Sequence, residues 1–502
     1  MEAGSPSTRS TSPRRASPIA PLAAAALAAA AWLIAAPPVA DLAAHEYRAW
    51  LWDAEGFTVW NAQWYGGHHV PGYSLLFPPL GGLLGAPAAV ALAGVASAAA
   101  LVALARDAAP ADRRELAGWI AAAGAAANLV AGRGPFALGI AFAALALLLA
   151  RRGRSGWAAA ASLAAVWSSP VAGLFLALAG AAWWLAKRPP AAAAVTLPAV
   201  GGGLLLAGLF PEGGEERFVA TAFWPMLAVC AAATALLRDR TLRLAALAYL
   251  ALLVAAFLLP TPVGQNALRL GVLAGPALLA VAGVGPRAAL LLVGAALLYL
   301  QWLPAVRAVG ESRGDPATAA SFHAPLLDFL VRAAAPGDRV EVVFTRGHWE
   351  ATHVAKHWAL ARGWERQLDL EVNRLFYSDG LTPDRYEAWL RHEAIRWVAL
   401  PDAPLDFSAR EEARIVASGP AFLRPAALTG GWRVYEVRGV EPARAIAAAG
   451  PSSLAVREAA VLPGRRHTRY FGDCARETEE GWVAVDRGVE LAARLRDGGC
   501  PR

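Results

Sequence analysis

The sequence predicts an α-helical polytopic membrane protein of about eleven transmembrane helices, followed by an extracytoplasmic α/β domain and a small β-rich tail. Three observations lead there. Hydrophobic residues make up 57% of the 502 residues, and they are concentrated before Pro304, a distribution that soluble chains do not show. The basic residues of that stretch fall in every second gap between apolar runs: Arg9, Arg14 and Arg15; Arg106, Arg113 and Arg114; Arg151, Arg152 and Arg154; Lys187 and Arg188; Arg238, Arg240 and Arg243; and Arg287. The gaps between hold only Arg48, Arg133, Arg217 and Arg269. Beyond Pro304 the texture changes to short strand-like and amphipathic helical pieces.

The apolar runs are Ile19–Ala40, Ala86–Ala105, Leu116–Ala131, Pro135–Ala150, Trp157–Ser169, Pro170–Ala186, Ala191–Phe210, Phe218–Leu237, Leu244–Pro260, Ala267–Gly285 and Ala288–Pro304. A span needs about 20 apolar residues, so the Trp157–Ser169 run is the shortest that qualifies. Cytoplasmic loops keep the excess of Lys and Arg, which places the N-terminus inside and everything after Pro304 outside. Residues 1–18 are a polar, basic tail with no convincing cleavage site behind it, so the first run is expected to remain as a span. Residues 19–304 form the membrane core, with a long outer loop over 41–74.

In the outer domain, residues 305–440, Arg339–Phe344, Ile395–Leu400 and Trp432–Val437 alternate as strands do, while Phe322–Ala335 and Pro383–His392 suit helices. Residues 441–502 form the β-rich tail, where an oxidising compartment would allow a Cys474–Cys500 bridge. The formal charge of +7 sits mainly in the short inner loops, so topology accounts for it and no nucleic-acid partner is expected. No phosphate-binding loop, dinucleotide glycine motif or haem motif occurs, which weighs against ATP-driven and redox roles.

Chemistry concentrates in the outer loop, Asp41–Ser74, which packs carboxylates, histidines and aromatics directly after the first run. Asp41, Glu46 and Asp53 are candidate general bases, able to take a proton from an attacking hydroxyl. Arg133 and Arg269 are isolated cations at the outer mouths of spans, a costly place for charge without an anionic partner or water, and they suit a phosphate. Asn266 adds a neutral hydrogen bond beside Arg269. Trp60, Trp64 and Tyr65, with Trp50, Trp52 and Tyr73 nearby, offer faces for sugar rings, although such residues also collect at membrane interfaces as anchors. His353 and His357 stand at a helical metal spacing, but neither an HExxH pattern nor a carboxylate ligand accompanies them, and no metal or other cofactor is expected. The charged segment Arg362, Trp364, Glu365, Arg366 and Asp369 is expected as ion-paired surface.

At this point the chain resembles the GT-C superfamily of integral-membrane glycosyltransferases. The resemblance rests on the outer acid after the first span, the Gly132–Phe136 and Gly264–Arg269 outer turns, and the external C-terminal domain. It implies a sugar moved from a polyprenyl-phosphate donor to an extracytoplasmic glycan, lipid or protein acceptor, with membrane lipid as the surroundings. It also implies that Asp41 is the catalytic acid residue, since that residue lies where the family's does. No adjacent acidic pair stands in the loop, which departs from the metal-dependent variant of the family. Two rivals from other classes remain: a noncatalytic cell-envelope scaffold, and a lipid-glycan transporter, for which ionisable residues deep in the spans would be needed.

Overall fold

The computed structural model describes residues 18–210, 214–335 and 338–440 together with the strand segments 444–448, 458–461, 475–478 and 481–484. The 1–17 tail, Cys474 and Cys500 lie outside the described residues. The membrane part is built from α1 (Ile19–Ala35), α2 (Ala40–Glu55), the strand pair β1 (Trp60–Asn61) and β2 (His68–His69), α3 (Phe77–Leu84), α4 (Ala86–Ala108), α5 (Arg114–Val130), α6 (Gly134–Arg151) and α7 (Ser155–Ser168). It continues through α8 (Pro170–Lys187), α9 (Pro190–Leu209), α10 (Ala220–Ala235), α11 (Arg240–Leu258), α12 (Leu268–Ala282) and α13 (Arg287–Ser312).

Every apolar run read from the sequence falls on one of these helices. Seven helices are long and apolar enough to cross a membrane, or eight spans if α1 and α2 are joined. The expected count of about eleven therefore exceeds what length supports, because α5, α7 and α10 are shorter or carry charge at their ends. Proline opens several helices, as Pro135 and Pro170 do at α6 and α8, where its missing N–H costs no intrahelical bond. Leu27, Ile34, Leu204, Leu291 and Leu292 stand exposed around the bundle, the belt expected of a surface that meets lipid.

The outer segment differs from its expectation as a loop. Its first half is the helix α2, turned 81° from α1 at the Pro37-Pro38 break. Proline at both positions forbids continuation of α1, while Ala, Leu, Glu and Arg in the following stretch favour a new helix. Six ionisable residues on α2 hide it from a search for spans.

After α13 come α14 (Ala320–Ala333), β3 (Arg339–Val342), α15 (Glu350–His353), α16 (Arg366–Val372), α17 (Pro383–His392), β4 (Ile395–Pro401), α18 (Arg410–Ala417), β5 (Leu423–Thr429) and β6 (Trp432–Val437). The sheet order is β3-β4-β6-β5, with β3 parallel to β4 and the remaining pairs antiparallel. Alternation sends Val398 and Leu400 into a core with Tyr386, Leu390 and Ile415. On the other face, Trp397 and Ala399 share a core with Leu326 and Leu330, and with Tyr47, Leu51, Trp64 and Tyr65 of the outer segment. Membrane core and outer domain are thereby joined by common burial. The strands β7 (Arg444–Ala448), β8 (Glu458–Val461), β9 (Ala475–Thr478) and β10 (Gly481–Ala484) form a further sheet, ordered β8-β7-β10-β9.

Candidate functional site

The start of α2 is held by hydrogen bonds from far along the chain. Trp349 Nε1 donates to the Pro38 carbonyl at 3.1 Å and Trp364 Nε1 to that of Ala40 at 2.9 Å. The Thr352 hydroxyl donates to the carbonyl of Ala43. Arg48, one turn further along α2, is ion-paired with Glu365. These contacts fix Asp41, in the first turn of α2, on the wall of a cavity of about 910 Å³ between the helix ends and the outer domain.

The cavity has a membrane side and a domain side. Asp41, Tyr73, Phe136, Val171, Asn266 and Arg269 contribute from the first, and Trp364, Glu365, Arg366, Asp406 and Phe407 from the second. Arg133 reaches Asp41, with Nε 3.9 Å from Oδ2 and both side chains about one-fifth to one-quarter exposed (21% and 24%). That separation gives electrostatic attraction but no hydrogen bond. Arg133 is delivered by the turn before α6, where Gly132 adopts φ +76° and a Cβ would stand 2.5 Å from Val39 Cγ2. Only glycine tolerates both the backbone and the contact.

Arg269 opens α12, its guanidinium 5.5 Å from the Phe136 ring centroid, and makes no ion pair among the described residues. The preceding turn is tightened by Gly264, at φ +36°, against the main chain of Glu216. Arg133 thus lies within electrostatic reach of both the Asp41 carboxylate and the Arg269 guanidinium. Burial, then the neighbouring Arg269 cation, lowers Arg133 to about 10 against the opposing pull of Asp41. It remains charged at neutral pH, and an arriving anion would relieve the repulsion between the two cations.

Tyr73 lies beneath Arg48, whose guanidinium carbon is 3.8 Å from its ring centroid. Burial pushes the Tyr73 hydroxyl up to about 12 despite Arg48, so it stays protonated and can donate. Burial also raises the Glu216 carboxyl, opposed by Arg366 and Arg269. Burial works against ionisation of Asp406 as well, yet His348 and Arg366 hold its carboxyl well below the usual range. Arg366 Nη2 meets Asp406 Oδ2 at 2.8 Å and His348 Nε2 meets it at 3.5 Å.

Of the residues expected from the sequence, Asp41, Asn266 and Arg269 line this cavity and Arg133 adjoins it through Asp41. Glu46 is outside the lining and within electrostatic reach of Lys356 of the outer domain. Asp53 is exposed, about 18 Å further along the axis of α2. Trp60, Trp64 and Tyr65 are enclosed: Trp60 meets the His69 ring edge-on, Trp64 stacks on Tyr47 at 4.5 Å, and the Tyr65 hydroxyl donates to the Glu365 carbonyl at 2.9 Å. Aromatic faces open to the cavity belong instead to Tyr73, Phe136, Phe210, Trp364 and Phe407.

The charged segment expected as surface is interior. Arg362 and Asp369 are buried against each other, while Trp364, Glu365 and Arg366 face the cavity. Sequence reasoning also missed Glu216, Arg346, His348, Asp406 and Arg410 as cavity residues. Tryptophan among the charges of Arg362–Arg366 was the one available sign, since exposed ion-pair segments seldom carry large apolar rings. His353 stacks on Trp349 at 5.3 Å, and among the described residues no group of three or more His, Cys, Asp or Glu is placed to hold a metal ion.

No family model matches the chain, and no curated protein matches it. Among solved structures it is similar to ArnT from Cupriavidus metallidurans, in the apo-state crystal structure, at 14% sequence identity and a TM-score of 0.45, over 83% of this chain and 97% of that one.

Proposed function

We propose that the chain is a membrane-embedded glycosyltransferase of GT-C type, which moves a sugar from a polyprenyl-phosphate donor to an extracytoplasmic acceptor. The observation that carries this reading is the meeting of Asp41, Arg133 and Arg269, from three distant segments, at one cavity on the boundary between bundle and outer domain. A carboxylate beside guanidinium groups is the pairing that glycosyl transfer from a phosphate needs.

Asp41 accepts the proton of the acceptor hydroxyl as its oxygen bonds to the anomeric carbon. The bond from that carbon to the phosphate oxygen breaks, and its electron pair leaves with the lipid phosphate. Arg269 and Arg133 stabilise the negative charge that develops there, and Asn266 contributes a neutral hydrogen bond. Tyr73, Phe136 and Trp364 bound the space left for the sugar. The outer domain closes the opposite wall and holds the acceptor, with Arg366 and Asp406 locked to each other as part of that wall. The arginine alternation supports an orientation with this cavity outside the cytoplasm and the N-terminus inside.

The reading is tested by incubating the purified protein with polyprenyl-phosphate sugars and following release of the lipid phosphate. Release that depends on Asp41 supports it, and its absence for every donor sugar tried would leave a scaffold as the better account. The orientation has its own check: cysteines placed at Ala54 and Ser321 should react with a membrane-impermeant thiol reagent in intact cells, whereas labelling only after lysis reverses the topology.

A further inference from the structure

A second cavity lies inside the helix bundle, apart from the site above. It measures about 630 Å³ and runs among α4, α6, α8, α10, α11 and α12, with walls that are almost wholly aliphatic. Its two ends differ. One end stops at Ile140, Ala172 and Leu270, below the outer cavity, where Phe136 and Phe175 meet edge-on at 6.1 Å. The other reaches the arginine-rich ends of the helices, where Arg151, Lys187 and Asp239 join the lining.

A protein interior holds few voids larger than a water molecule, and aliphatic walls offer water few hydrogen-bond partners. In a bilayer the available filler is hydrocarbon chain. The charges at the open end indicate what that chain is attached to. Arg151 is paired with Asp107 at 2.7 Å, and Asp239 is occupied in accepting the Leu242 N–H at 2.9 Å. Lys187 is exposed and makes no ion pair among the described residues. Arg152, Arg188, Arg238 and Arg240 crowd the same membrane face, and such basic rims attract anionic lipids.

From these features we infer that the inner cavity is a binding site for an anionic phospholipid of the leaflet at the arginine-rich face, its acyl chain in the aliphatic space and its phosphate at Lys187. A glycosyl donor held by Arg269 has its phosphate at the opposite end of the bundle, so it brings no anion to Lys187. The site is therefore separate from the proposed reaction, and stands whether or not that reaction occurs.

The test uses full-length protein purified in mild detergent, with bound lipid identified by mass spectrometry. A single anionic phospholipid per chain is expected; Ala179→Trp, which narrows the cavity, should weaken its retention, and Lys187→Glu should replace it with a zwitterionic one. A second measurement needs no variant. Wild-type protein in phosphatidylcholine vesicles containing phosphatidylglycerol with an acyl-chain diazirine should be photolabelled on peptides bearing Leu147 and Ala245. The inference is overturned by retention that ignores headgroup charge, by polyprenyl phosphate as the retained lipid, or by labelling confined to outward residues such as Leu197 and Leu291.

Discussion

Arg362 in the outer domain and Arg269 at the cavity are both arginines among aromatic rings, and their surroundings are opposite. Arg362 is fully buried, meets Asp369 at 2.7 and 3.2 Å, Glu412 at 3.3 Å and Ser408 at 3.2 Å, and lies between the faces of Phe344 and Phe376 at 3.8 and 4.0 Å. Its partners are partnered in turn: Asn373 and Tyr377 donate to Asp369, and Tyr386 donates to Glu412. Burial and then Glu412 push Glu341 well above the usual carboxyl range. Arg269 has an aromatic neighbour and an open cavity in place of a carboxylate. A closed network serves structure, and an incomplete one next to space is where a ligand completes the set.

The comparison can be broken most severely at Arg362. Replacing it with Met strands two buried carboxylates, and the loss should be about 3–5 kcal/mol of stability, seen as little folded protein after purification. Asp41→Asn should act in the other way: turnover falls at least about 100-fold, near 2.7 kcal/mol, while the melting temperature stays with wild type. Activity retained in Asp41→Asn but abolished in Glu46→Gln or Asp53→Asn would move the base elsewhere on α2. Arg269→Ala should weaken donor binding and turnover together by about 1.5–3 kcal/mol, the range for hydrogen bonds to charged groups. Lys at that position should restore part, lacking the two-pronged guanidinium contact; full restoration would show that a point charge suffices.

A smaller effect concerns pH. Burial lowers His68 to about 3 and His323 to about 4, so below 6.5 the unfolded chain binds protons that the folded chain refuses. Stability is complete above about 6.5 and declines as pH falls towards 4, by up to about 1.4 kcal/mol per unit for each imidazole. A melting temperature that falls less steeply from neutral pH down to 5 in His323→Phe than in wild type would assign that residue its share, with His68 keeping the remainder. Smallest is Trp364→Phe, which removes the donor to the Ala40 carbonyl and should cost about 0.5–1.5 kcal/mol. Turnover should fall more than stability if that bond positions Asp41.

Much of the membrane part was legible because a span must be apolar along its whole length, so each run before Pro304 announces its helix. The strand Trp432–Val437 and the helix Pro383–His392 form with the bounds their patterns suggest. Asp41 and Arg269 could be singled out because charge at the edge of a bilayer is conspicuous, and Asn266 as the neutral polar neighbour of Arg269. The helix α2 was not legible, since its burial is provided by β3, β4 and the Trp349–Trp364 stretch some 300 positions away, which no local period reports. For the same reason Trp64 and Tyr65 read as exposed aromatics: a ring bound for a distant core and a ring bound for a sugar look alike in a short window. Asp406 and Arg366 were hidden because their value lies in the partner each finds across the fold.

The hydrogen bonds to the carbonyls of Pro38, Ala40 and Ala43 also set a schedule for biosynthesis. The segment that carries Asp41 leaves the ribosome early, and its anchors Trp349, Thr352 and Trp364 emerge only after the last membrane helix has been inserted. Until then α2 lacks the neighbours that orient it, and Asp41 has no fixed relation to Arg269. A truncated or stalled chain would therefore insert most of its bundle yet present no assembled site, so that competence is conferred late, by completion of the polypeptide.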